Sequence, residues 1–173
     1  MKRATLLAAA LLISTATAFA GGGGGTFVGR LLPYPELRNQ DVMTSVSGGF
    51  GYGVSRDGSR VGGFGLAIED ERTEAFYGAF GGLMSGQEVK LGPVIASINL
   101  WSGVGYLAPR SIGSGSIGYY AELSGEIGAL LLPWMQTSVY GGMQITGSFS
   151  RFAWFERAAY APVAGIRFAW GSF

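Results

Sequence analysis

From residue 44 onward the chain breaks into segments in which every second residue is bulky and apolar, separated by clusters of charges, glycines and prolines. That period of two is the mark of a strand with unlike faces. In the clearest segment, 135–149, Met135, Val139, Met143 and Ile145 oppose Gln136, Ser138, Gln144 and Ser148. In the last, 160–170, Tyr160, Ile166, Phe168 and Trp170 oppose Ala161, Gly165 and Arg167. The same reading predicts strands over 44–54, 61–68, 75–84, 94–107 and 117–131, with a shorter one at 26–32. In 61–68 the bulky set Phe64, Leu66 and Ile68 is expected to face outward, with Val61, Gly63, Gly65 and Ala67 behind it. That makes eight strands and an all-β chain.

The links between strands carry a second pattern. The second, fourth and sixth are short, at 56–59, at 85–88 and around Pro133, whereas the first, third, fifth and seventh are longer. Asp57-Gly58 between two alternating segments is a strong hairpin signal. Strict alternation of short and long links is expected of an antiparallel up-and-down transmembrane β-barrel with an even number of strands and both termini on one side. A soluble exported barrel or sandwich is the rival, with its apolar faces turned inward. It has to explain why so many opposing faces hold only Gly, Ser, Gln and Glu.

Composition sharpens the choice. Hydrophobic residues are 48% and charged residues 13%, yet no stretch past the N-terminus offers the ~18 unbroken apolar residues of a spanning helix. Membrane strands reconcile the two, since each needs about ten residues with every second one apolar. Residues 1–20 read as a secretory signal peptide: Lys2 and Arg3, an apolar run, then Ala18-Phe19-Ala20. Its removal takes two of the 12 basic residues, leaving ten against 11 acidic ones, and gives no reason to expect a nucleic-acid partner. What remains, 21–173, is expected to be a single barrel domain, with the glycines at 21–25 as a flexible leader.

The closing strand resembles the C-terminal recognition signal of small eight-stranded bacterial outer-membrane β-barrel proteins, in which a glycine precedes two aromatics at fixed spacing. Gly165, Phe168 and Trp170 fit that spacing. The resemblance implies an outer-membrane location, the lipid bilayer of that membrane and the barrel-assembly machinery as partners, and Gly165, Phe168 and Trp170 as the insertion signal.

Candidate chemistry is narrowed first by what is missing. With no histidine and no cysteine, Ser-His, Cys-His and His-ligated metal arrangements are excluded, and no cofactor or metal is expected. Glu122 and Glu126 share a strand face about 13 Å apart, too far for the carboxylate pair of a glycosidase. Parity turns Arg30, Glu122, Glu126 and Arg167 inward, so these four are expected to form an interior charge network, with Tyr77, Trp101, Tyr120 and Tyr140 filling the space left by glycines. Phe152, Trp154 and Phe155 in the last loop are expected to belong to an aromatic girdle or to a surface ligand patch. The function expected is a non-enzymatic outer-membrane protein with a structural or surface-interaction role and a plugged lumen; a small porin-like channel is the alternative.

Overall fold

Three tight turns organise one end of the molecule, and each follows from its residues. In the computed structural model, which describes residues 21–31, 44–70, 76–109, 115–149 and 159–173, eight strands run β1 (Gly21–Leu31), β2 (Thr44–Val54), β3 (Ser59–Asp70), β4 (Phe76–Leu91), β5 (Val94–Pro109), β6 (Ser116–Leu132), β7 (Met135–Ser148) and β8 (Ala159–Ser172). The β2–β3 turn places Gly58 at φ 84°, while Asp57 accepts hydrogen bonds from Ser55 Oγ, Ser59 N and Ser59 Oγ. This is a three-residue loop closed by a left-handed glycine. The β4–β5 turn is Gly92-Pro93: Gly92 at φ 67° followed by a ring-locked residue is what a type II′ hairpin requires. Pro133 and Trp134 turn β6 into β7, with a bulge at Leu131.

All neighbouring strands pair antiparallel, and β1 pairs with β8, so the sheet closes on itself. The register runs from Gly21 through Val54, Arg60, Gly86, Asn99, Ser124, Gly142 and Val163 back to β1 at Leu31, ten residues above its start. Eight strands with that stagger tilt about 40° and enclose a backbone cylinder of radius about 8 Å. The same geometry gives each residue about 2.5 Å of rise along the axis and each strand step about 3 Å. On that scale the outward rings of Tyr77, Tyr106, Tyr119 and Tyr160 fall within about 4 Å of one level, and Trp170 lies about 25 Å nearer the short-turn end with Trp134 just beyond. Two aromatic belts that far apart bracket a band of bilayer thickness.

Several expectations are corrected by this architecture. Residues 21–25 are not a leader: they are the first half of β1, hydrogen-bonded to β2 on one edge and to β8 on the other. Glycine suits the seam because a side chain at Gly25 would run into the Phe168 carbonyl and the Ala169 backbone. The expected turn at 85–88 lies inside β4, which continues to Leu91 because Gly92, not Gly86, adopts the positive φ.

Inside and outside are also exchanged on part of the wall. On β5–β8 most bulky aliphatic residues face out, while Ser, Asn, Glu, Gln and Arg face in beside the rings of Trp101, Tyr120 and Tyr140. On β2–β4 the large apolar residues expected outside face in. Phe64, Leu66, Ile68, Phe80 and Met84 are buried in the lumen, and Val61 points out. Tyr77, expected inside, is 42% exposed. Volume decides the matter. Had the large residues of β2–β4 faced lipid, three of the eight strands would have lined the lumen mostly with Gly, Ser and Ala, leaving a void that close packing does not tolerate. The signal-peptide expectation for residues 1–20 and the aromatics Phe152, Trp154 and Phe155 lie outside the described residues.

Candidate functional site

The centre of the lumen is a chain of alternating charges. Strand parity brings Arg60 from β3, Glu88 from β4, Glu122 and Glu126 from β6 and Arg167 from β8 to the interior. Lys90 Nζ at the short-turn mouth lies 3.6 Å from Glu88 Oε1. Arg60 Nε donates to Glu88 Oε2 at 2.7 Å, and Arg60 Nη1 lies 3.4 Å from Glu126 Oε2. Arg167 then joins two carboxylates: Nη1 donates to Glu126 Oε2 and Nη2 to Glu122 Oε1, each at 3.0 Å. Tyr120 Oη closes the series by donating to Glu122 Oε2 at 2.5 Å. Signs therefore alternate from the mouth to the middle of the barrel, and no buried carboxylate stands beside another without a cation between them.

Glu126 is the hub. Its Oε1 accepts from Ser138 Oγ at 2.5 Å, and its Oε2 accepts from Asn99 Nδ2 at 3.1 Å and Ser97 Oγ at 3.3 Å besides the two arginines. A buried carboxylate needs this many donors, because taking it out of water costs several kcal/mol that pairing must offset. Aromatic faces complete the shell. The Arg167 guanidinium carbon lies 3.9 Å from the centre of the Tyr140 ring and 4.7 Å from that of Trp101, and Arg60 lies 4.6 Å from that of Tyr52. Phe27, Phe50 and Phe64 pack on Trp101 with ring centres 5.4, 5.9 and 4.9 Å away. Arginine suits both roles, since its planar head bonds a carboxylate in its plane and stacks on a ring through its face.

Of the four residues expected in the network, the structure brings together Glu122, Glu126 and Arg167 but not Arg30. With Phe27 turned into the lumen, parity turns Arg30 outward. Arg60 supplies the second buried cation and Glu88 a third carboxylate. Neither shows in the sequence pattern, because Arg60 adjoins the Asp57-Gly58 turn and Glu88 follows the turn-like Ser85-Gly86-Gln87. Trp101, Tyr120 and Tyr140 are buried. Gly165 faces inward against the Tyr140 ring, whereas Phe168 and Trp170 face outward. Among the described residues no group of three His, Cys, Asp or Glu could hold a metal ion.

No family model matches the sequence, and no curated protein matches it. Among solved structures the barrel is similar to the crystal structure of Neisserial surface protein A, with a TM-score of 0.65 and 7% sequence identity, covering 88% of this chain and 96% of that one. At that identity the likeness is one of fold: a closed antiparallel barrel of eight strands.

Proposed function

We propose that the chain is an integral outer-membrane protein without catalytic activity, whose lumen is plugged by its own side chains and whose role is structural or lies in the surface its longer loops present. The carrying observation is the charge chain from Lys90 to Glu122, wrapped by Tyr52, Trp101 and Tyr140, which occupies the cross-section of a barrel little wider than its side chains. Each interior carboxylate is engaged by an arginine, which supports a structural role for all three over general acid–base chemistry. Planar-bilayer recording tests the plug: the wild type is expected to give no conductance steps. Steady cation-selective steps that vanish in Glu122→Gln would instead establish the small-channel reading.

Export and insertion form the same proposal. Cleavage after Ala20 is part of this reading, and N-terminal sequencing of the mature protein should start at Gly21. The outward rings of Phe168 and Trp170 on β8 are in position to be read by the barrel-assembly machinery. Phe168→Ala with Trp170→Ala is expected to accumulate in the periplasm, and normal membrane insertion of that variant would remove the role.

A further inference from the structure

The bilayer-facing wall of β4–β7 carries an apolar groove of about 510 Å³. Its floor is Ala96, Gly125 and Gly141, and its rim is Ile98, Ile127 and Val139. At its lower end Gln87 and Val89 also line a second pocket, of about 490 Å³, at the short-turn mouth. There two cations, Arg56 and Lys90, sit with Asp57 and Glu88. The two acids are already engaged, Asp57 by Ser55 and Ser59 and Glu88 by Arg60 and Lys90. Among the described residues the ion pairs take in Arg60, Lys90 and Arg167 but not Arg56. An apolar slot thus runs into a polar mouth that holds a cation with no acidic partner.

We propose that this surface binds one glycerophospholipid from the leaflet on the short-turn side, an acyl chain in the groove and the headgroup phosphate at Arg56. The proposal rests on the membrane-barrel reading, and depth argues for the occupant. From Val89 to Gly141 the groove climbs about 14 Å along the barrel axis, from the Trp170 level to midway between the two aromatic belts. That is the thickness of one leaflet's hydrocarbon, half of about 30 Å. A cation at the lower end matches the phosphate of a lipid anchored at that level, and basic pockets at membrane surfaces recognise lipid headgroups in this way.

The test is native mass spectrometry of the full-length barrel refolded in octyl glucoside micelles with palmitoyl-oleoyl phosphatidylethanolamine and phosphatidylglycerol. Wild type is expected to retain one phospholipid. Filling the groove with Gly125→Leu and Gly141→Leu is expected to lower the retained fraction about tenfold. At Gly125 an added Cβ meets nothing within 4 Å, and at Gly141 only the Val163 carbonyl at 3.6 Å, so the barrel accepts both changes. Arg56→Gln, at the exposed mouth, should lower retention as well and carries the test if the groove variant fails to fold. Gly65→Leu, equally open but on the β3 wall, should retain lipid like the wild type. Retention by the groove or mouth variant equal to wild type, loss in Gly65→Leu to the same extent, or no lipid on the wild type would overturn the proposal. Each sample is also run unboiled and boiled on a gel; a wild type without a heat-dependent shift would instead sink the barrel reading beneath it.

Discussion

Arg167 holds two buried carboxylates, so its loss is felt twice. Among the described residues Arg167→Leu leaves Glu122 with no cation and Glu126 with Arg60 alone, and stranding a buried charge in this way costs about 3–5 kcal/mol. The temperature at which the unboiled band converts to the unfolded one should drop accordingly. Gly29 is sensitive for a steric reason, because a side chain there would meet the Tyr140 hydroxyl and the Ala164 carbonyl. Gly29→Val is expected to destabilise by about 1–3 kcal/mol in the same assay, the usual effect of overpacking. At the β2–β3 turn the Ser55 hydroxyl above all, then the Ser59 amide and hydroxyl, hold the Asp57 carboxyl below its ordinary 3.8. A carboxylate depressed on folding stabilises the folded turn above its unfolded pKa and loses that contribution as pH falls through the folded value. Protection of the Ser59 amide against exchange should therefore fall as pH drops below about 4, and Asp57→Asn should remove that step. At this scale the sequence was legible where a polar residue alternates with a bulky apolar one, as at Glu122, Glu126 and Arg167. It was not where the alternation is Gly against Phe, as in β2 and β3, since neither partner states a preference for water or lipid.

Strands and turns were easier to read than faces. The Asp57-Gly58 turn and the Pro133 turn came from residues with few conformational choices, and Gly92-Pro93 is of the same kind. Its signal is masked by Gly86, which stands nearby among polar neighbours of loop-like composition. The structure uses Gly86 differently, as an interior position against Asn99. Gly92→Val tests the distinction. A β-branched residue at φ 67° is expected to cost at least about 1–2 kcal/mol in heat stability, whereas β4 itself should remain a strand. The five glycines at 21–25 were illegible for a related reason. Alone they have no strand propensity, and only the two flanking edges, β2 and β8, order them.

At the scale of the molecule, alternating link lengths pointed to an even strand number with both termini at one end, because they depend on chain connectivity rather than on which face is filled. With no native cysteine, sidedness is directly measurable. Ser111→Cys, between β5 and β6, should react with an impermeant maleimide on intact cells. Arg56→Cys, between β2 and β3, should react only after the envelope is opened, and the reverse pattern would invert the orientation. The seam between β1 and β8 has a further consequence, for folding kinetics. Its two strands are more than a hundred residues apart in the chain, so the last ladder to form requires the largest loop closure in the protein. One edge of that ladder begins with five residues that lose the most backbone entropy on being fixed and contribute no side-chain contacts in return. Until it zips, the half-made sheet carries two open edges able to pair with any other strand. The meeting of its two ends is therefore the step expected to be slowest and most prone to error in making this barrel.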